Sequence, residues 1–356
     1  MPAKVPATIV TGFLGAGKTT IIRHLLENAR GKRIALVINE FGDLGVDGNI
    51  LKGCGDEACK AEDIVELSNG CICCTVAEDF VPTIEALLAR PDKPDHIVIE
   101  TSGLALPQPL VRAFNWPEIA TRVTVDGVVT VVDGKAVSEG RFAHDHAALD
   151  AQRAADEALD HETPLSELFE DQLACADLIV VNKTDLLESG QAVELTETLR
   201  SGARPSVQVI KSTMGKLPVD ILLGLDMAAE ADLEARHELH HGHDHDHDHD
   251  HEHGDHHHED HDHGHDAFES FVVTRGEVID PEAFAATLAE VIRAHNILRL
   301  KGFAAVSGKP MRLTLQAVGP RVQSYYDGRV ERRETQLVVI GQSGLDRAAI
   351  TAALSA

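Results

Sequence analysis

The chain is poor in three things. It has no run of apolar residues approaching the ~20 that a bilayer-spanning helix needs, so no membrane segment is expected. It is short of positive charge: 32 Lys and Arg stand against 58 Asp and Glu, a formal net charge of −26 over 356 residues. That balance excludes nucleic acid and anionic membranes as main partners, because both repel such a chain. It has only six cysteines, too few in so long a chain for a disulfide framework. Metal or redox chemistry is what remains for them. The opening MPAKVPATIV also lacks the basic-then-apolar pattern of a secretion signal, and a cytoplasmic location is the expectation.

What is present is an ordinary globular composition, 43% hydrophobic, long enough for two domains. Short apolar runs at residues 7–11, 34–39, 97–100, 127–132 and 178–182 read as buried parallel strands, with another near 207–210. Helical spacing falls between them, over 18–28, 78–90 and 165–174. This alternation predicts an α/β fold, a doubly wound and mostly parallel sheet, over residues 1–227. Residues 228–266 read as a disordered linker rich in His and Asp, with 15 of the 21 histidines between 237 and 265. From Phe268 the pattern recovers: FESFVVT, a helix from Pro281 to His295, LRLKGFAAV, RLTLQAV and QLVVIG. Residues 267–356 are therefore expected to form a smaller α+β domain.

Residues 12–19 read GFLGAGKT, a full match to G-x-x-x-x-G-K-[ST] between a strand and a helix. Gly12, Gly15, Ala16, Gly17, Lys18, Thr19 and Thr20 are the candidate phosphate contacts. Glycines let backbone N–H groups turn onto phosphate oxygens, and the helix N-terminus favours negative charge. Lys18 should reach the β- and γ-phosphates and Thr19 should ligate Mg²⁺. Glu100 ends an apolar strand, in ETSG, where a carboxylate can bind Mg²⁺ through water. Lys18, Thr19 and Glu100 are the expected catalytic set. Gly103 would let a backbone N–H approach the γ-phosphate. Asn182-Lys-Thr-Asp185 closes another apolar strand. Asp185 is placed to accept from the guanine N1–H and amine, Asn182 to support the loop, and the Lys183 stem to cover the base. GTP is thus the expected nucleotide.

Cys71, Cys73 and Cys74 lie within four residues, in NGCICC. Adjacent thiols can offer two or three thiolates to Zn²⁺, Co²⁺ or Cu⁺, too few for a closed structural site and suited to an open, transferable one. A redox pair or buried cysteines are the alternative. Cys54 and Cys59 form a second group, either auxiliary ligands, a redox-sensitive pair or incidental loop residues, and Cys175 reads as core. Glu40 and Asp43, in NEFGD, are candidates for Mg²⁺-linked switch contacts or hard metal ligands, or are solvated turn acids. The histidine tract can wrap several divalent ions without selecting among them, for storage or as a spacer.

TGFLGAGKTT (11–20), INEFGD (38–43), NGCICC (69–74), ETSGLA (100–105), NKTD (182–185) and RLKGF (299–303) together resemble the CobW family of metallochaperone GTPases, in the SIMIBI class of P-loop proteins. The likeness spans nearly the whole chain. It implies GTP hydrolysis coupled to metal transfer, with Cys71, Cys73 and Cys74 as the metal site. The insert at 53–59 and VDGVVTVVD at 125–133 are most similar to the branch associated with cobalt in cobalamin biosynthesis. The resemblance therefore implies Co²⁺ as cargo and, as recipient, a metal-inserting enzyme such as a cobaltochelatase. Zinc delivery to zinc enzymes stays open, because zinc-delivering relatives share the thiols, and a homodimer stays open too. Some relatives carry an acid where this chain has Ile38, so no carboxylate is available there. A passive metal buffer built on the histidine tract, and a small-molecule kinase, are the readings from other classes; the intact phosphate loop and NKTD weigh against both.

Overall fold

The computed structural model describes residues 4–29, 31–39, 64–67, 80–155, 164–188, 190–225, 227–231, 268–330 and 332–355. The chain divides into two compact units, Met1–His237 and Glu238–Ala356.

In the first unit the elements run β1 (Val5–Thr11), α1 (Lys18–Asn28), β2 (Ile34–Asn39), β3 (Ile64–Leu67), α2 (Val81–Ala89), β4 (His96–Glu100), α3 (Pro107–Ala113) and α4 (Pro117–Ala120). They continue with β5 (Val123–Asp133), α5 (Gly134–Ser138), α6 (His146–Ala155), α7 (Leu165–Cys175), β6 (Leu178–Asn182), α8 (Gln191–Gly202), β7 (Gln208–Lys211) and α9 (Val219–Leu222). The seven strands form one sheet in the order β3-β2-β4-β1-β5-β6-β7. Every pairing in it is parallel. β1 is where the winding reverses: β2, β3 and β4 lie to one side of it, β5, β6 and β7 to the other. Ligands of such sheets bind beyond the carboxyl ends of the strands at that reversal, and here that is the mouth of the GFLGAGKT loop.

The strands are largely apolar because both faces are covered. All five residues of β4 and all five of β6 are buried. α1 buries Ile21, Ile22, Leu25 and Leu26, all at 2% exposure or less. That spacing puts them on one helix face, each worth roughly 1.5–3 kcal/mol when removed from water. Cys175 is buried in the core packed around β1, β4 and β5, as the sequence suggested.

A polar cluster sits inside this core. Thr8 Oγ1 lies 2.8 Å from His96 Nε2 and donates to Asp126 Oδ2 at 3.2 Å. A hydroxyl has one proton to give, so His96 Nε2 carries the hydrogen and donates to Thr8. Asp126 sits where the β1–β5 register shifts, and its Oδ2 also accepts from Gly224 N at 2.6 Å. Burial pushes the His96 pKa down to about 4 and outweighs the opposing pull of the Asp126 carboxylate. The ring is therefore neutral, and it ties β4, β1 and β5 together by hydrogen bonds.

The second unit runs β8 (Phe268–Arg275), α10 (Pro281–Ala294), β9 (Arg299–Ala305), β10 (Met311–Val318), β11 (Arg321–Arg329), β12 (Thr335–Gln342) and α11 (Arg347–Ser355). Its sheet is antiparallel, in the order β11-β10-β9-β12-β8. Leu288 and Ile292 of α10 and Ile350 and Leu354 of α11 pack with Leu300, Leu313, Leu315, Leu337 and Val339 of the strands. Asp280 starts α10 by accepting from Glu282 N and Ala283 N at 3.0 and 3.1 Å, with Pro281 in the first turn. Among the described residues of both units no helix is long and apolar enough to cross a membrane. The strand at 321–329 and the helix at 347–355 were not expected from sequence, and the 127–132 strand proves to run from Val123 to Asp133.

Candidate nucleotide site

β1 is followed by the loop Gly12–Gly17, and α1 begins at Lys18. Gly17 occupies the N-cap of α1 with φ 102°, and no side chain caps the helix. The first-turn N–H groups are therefore left for an anion. A Cβ at Gly17 would lie 2.3 Å from Asn182 Nδ2, so both the left-handed backbone and the close approach require glycine. Lys18 Nζ donates to the carbonyls of Gly12 at 2.8 Å and Phe13 at 3.3 Å, curling over the loop. Gly15 and Thr20 are exposed, while Ala16 is buried. Phe13, a variable position of the motif, is 2% exposed and anchors the loop. Its ring packs against Phe142 and Phe169, with centroids 5.6 and 5.9 Å away.

Thr19 Oγ1 donates to Glu100 Oε1 at 2.8 Å, which joins the start of α1 to the end of β4. Glu100 is 4% exposed. A hydroxyl and a carboxylate side by side are hard oxygen donors of the kind Mg²⁺ takes. Beyond Glu100 the chain is stitched to β1: Thr101 N donates to Val10 O at 3.0 Å and Thr101 Oγ1 to Thr11 Oγ1 at 3.0 Å. Gly103 then lies against the phosphate loop so closely that a Cβ would sit 2.7 Å from Leu14 N.

The other side of the loop is held from β6. Asn182 Nδ2 donates to Ala16 O at 2.9 Å, and its Oδ1 accepts from Gly215 N at 3.1 Å. One buried side chain thus fixes the phosphate loop, the end of β6 and the Ser212–Lys216 turn after β7. Lys183 has φ 60° and its ammonium pairs with Asp133 Oδ2 at 2.6 Å, at the end of β5. Thr184 N and Oγ1 both bond Ser212 O, at 3.2 and 3.1 Å. Asp185 is exposed on the short turn that follows. The structure therefore brings Gly12, Gly15, Ala16, Gly17, Lys18, Thr19, Thr20, Glu100, Gly103, Asn182, Lys183 and Asp185 to one end of one sheet. It adds Phe13 and the Ser212–Lys216 turn, neither of which stood out in the sequence. A polar turn closing a strand at 212–216 was the available signal for the last.

Cys54, Cys59, Cys71, Cys73, Cys74, Glu40, Asp43 and the histidine tract lie outside the described residues. Among the described residues no group of three or more His, Cys, Asp or Glu could hold a metal ion. The strands that lead to the cysteines and acids are described. β3 ends at Leu67, paired with Asn39 of β2, while Ile38 pairs with Glu100 of β4. Both strands thus end on the side of the sheet where the phosphate loop opens. Ile38 itself is buried in β2.

Comparison with known proteins agrees with this geometry. Residues 6–211 match the family described as CobW/HypB/UreG, nucleotide-binding domain, and residues 268–356 match the cobalamin synthesis protein cobW C-terminal domain. The chain belongs to the CobW family of metallochaperone GTPases. A Sinorhizobium protein named zinc chaperone CobW is 56% identical over 359 residues, covering 99% of this chain and 97% of the relative. A Pseudomonas aeruginosa protein of the same name is 50% identical, covering 98% and 90%. The Escherichia coli protein named zinc chaperone YjiA is 30% identical, covering 88% and 86%. As a CobW-family member the chain is a GTPase, with GTP and a metal ion as its ligands. Its first unit carries the parallel P-loop core and its second the separate antiparallel sheet expected of the family.

Proposed function

We propose that this CobW-family GTPase is a carrier of Zn²⁺ that holds the ion at Cys71, Cys73 and Cys74 in its Mg²⁺–GTP state and releases it on hydrolysis. Asn182 is the observation that carries the nucleotide half, because its two bonds make the phosphate loop and the NKTD turn one site. In this reading the N–H groups of Gly15–Thr20 cradle the phosphates and Lys18 leaves the loop carbonyls to meet the β- and γ-oxygens. Thr19 and Glu100 would hold Mg²⁺, which when bound neutralises charge developing on the phosphates. Asp185, exposed and facing no competing partner among the described residues, takes the guanine edge.

Zinc is preferred to cobalt because the full-length relatives at 56% and 50% identity are named zinc chaperones. The thiols suit either ion. The end of β3 supports coupling to nucleotide: the chain leaves the sheet at Leu67, four residues before Cys71, on the side where the phosphate loop opens. The domain limits follow the same reading with one correction. The GTPase domain runs past 227 to 231, because Ala229 is buried in its core and Glu230 accepts from Thr124 Oγ1 and Val125 N. The His/Asp-rich linker is therefore 232–266 and the C-terminal domain 267–356. A competitive Zn²⁺ and Co²⁺ titration with Mg²⁺–GTP tests the cargo. Zn²⁺ should win the tightest site; a Co²⁺ preference there would return the assignment to cobalt delivery. The same titration on Lys18→Ala should show no effect of GTP on metal affinity.

A further inference from the structure

Gln172 of α7 is fully buried. Its Nε2 donates to the carbonyls of Gly103 and Ala105, at 3.2 Å each. Two carbonyl oxygens fix which amide atom faces them, since only an NH₂ has two protons to give. The Oε1 of the same amide is buried and has no hydrogen-bond partner among the described residues. The backbone of Gln172 is itself pinned, its carbonyl accepting from Thr130 Oγ1 at 2.9 Å. A second buried acceptor flanks the same turn: Gln152 Oε1, unpartnered among the described residues, lies 3.1 Å from where a Gly103 Cβ would stand. Buried polar atoms are nearly always satisfied, so two spare amide oxygens around one turn call for a reason.

The turn supplies the complementary group. Leu104 N–H shares its peptide with the Gly103 carbonyl and has no backbone acceptor among the described residues. In a trans peptide the C=O and N–H point opposite ways. While the Gly103 carbonyl faces Gln172 Nε2, Leu104 N–H faces away from it. A half-turn of that one peptide reverses the two and presents Leu104 N–H to the amide, where Oε1 is the acceptor. Ala105 O can keep its bond to Nε2 in both settings and serve as the pivot. The rotation turns ψ of Gly103, which has no Cβ to obstruct it, and carries φ of Leu104 from negative to positive, a strain that the new bond to Oε1 must offset. The other side of Gly103 touches the phosphate loop at Leu14.

We propose that Gln172 is a positioning residue that holds the Gly103–Leu104 peptide in either of two settings, one for GDP and one for GTP. The proposal rests on the reading of the Gly103 turn as the γ-phosphate side of the site. Gln172 lies on the helix that leads directly into β6, the strand ending at Asn182. The same amide therefore links the γ-phosphate turn to the base-side strand.

Two measurements test this on the full-length protein. Gln172→Met keeps the length of the side chain and removes both amide functions. It should lower kcat for GTP by about tenfold or more, hold KM within about threefold, and shrink the preference between a non-hydrolysable GTP analogue and GDP. Independently, hydrogen exchange at the Leu104 amide of the unsubstituted protein should slow by about tenfold or more on going from GDP to the analogue. Unchanged kcat and unchanged nucleotide preference in a folded Gln172→Met protein would overturn the proposal. So would equal Leu104 exchange in both states, which decides the matter even if the variant does not fold. Lys18→Ala separates the levels. If it retains GTP turnover, the reading of the whole site fails; if it abolishes turnover while neither Gln172 measurement responds, only the Gln172 proposal fails.

Discussion

Replacing His96 should change how the fold responds to acid, by an amount the buried cluster sets. The ring is 3% exposed, and its pKa is pushed from 6.5 to about 4, chiefly by burial. The folded value lies below the unfolded one, so between those limits the unfolded chain binds the extra proton. Stability from this residue is complete above pH ~6.5 and falls as pH drops toward ~4. A difference of about 2.5 in pKa, at 1.36 kcal/mol each, amounts to about 3 kcal/mol in full. About 2 kcal/mol of it is lost by pH ~5. Urea unfolding followed by circular dichroism, near pH 8 and near pH 5, measures the loss. His96→Gln, which cannot titrate, should start from a lower stability because it disturbs the bonds to Thr8 and Asp126. Its stability should then fall by about 2 kcal/mol less than that of the unsubstituted protein between the two pH values. The other 20 histidines are common to both proteins, so the comparison cancels them. Equal losses in the two proteins would refute the assignment of His96 as a buried neutral group.

Asp185→Asn should weaken GTP binding by about 100-fold, as two charge-assisted bonds of ~1.5 kcal/mol each are lost, measured by direct titration and by competition with ATP. Unchanged GTP affinity would remove NKTD as the base reader. In the second unit, Gly302→Ala places a Cβ 2.0 Å from Gln336 O across the β9–β12 pairing. It should cost about 3 kcal/mol, read as an earlier urea transition of that unit. Deletion of residues 237–266 should lower the number of weakly bound metal ions, counted by equilibrium dialysis, and leave the tightest ion in place.

Much of the first unit was legible because buried parallel strands and one-faced helices have strong local signatures. IALVIN and LIVVN are continuous apolar runs, and KTTIIRHLLEN starts at a glycine-rich loop and buries one face, so β2, β6 and α1 lie where the pattern puts them. β11 was not legible, because RVQSYYDGR forms a largely exposed edge strand with no apolar alternation to mark it. The site divides in the same way. Motif spacing singles out Lys18, Thr19 and Asp185 as candidates, since their motifs are local. It cannot reveal that Asn182 reaches Ala16, that Phe13 locks into Phe142 and Phe169, or that Gln172 holds Gly103. Those contacts join residues far apart in sequence, and only the sheet order brings them together. The buried Thr8–His96–Asp126 cluster was hidden for the same reason, its members coming from three strands.

Coupling of GTP and metal binding, each raising the affinity for the other, is what the proposed carrier cycle requires. It is tested most directly by titrating Co²⁺, as a spectroscopic probe of thiolate ligation, into the protein loaded with Mg²⁺–GDP or with a Mg²⁺-bound non-hydrolysable GTP analogue. Thiolate charge-transfer absorption and visible tetrahedral bands should appear with the analogue, at an affinity at least about tenfold higher than with GDP, and should be lost in Cys73→Ser plus Cys74→Ser. Identical spectra and affinities in the two nucleotide states would contradict it.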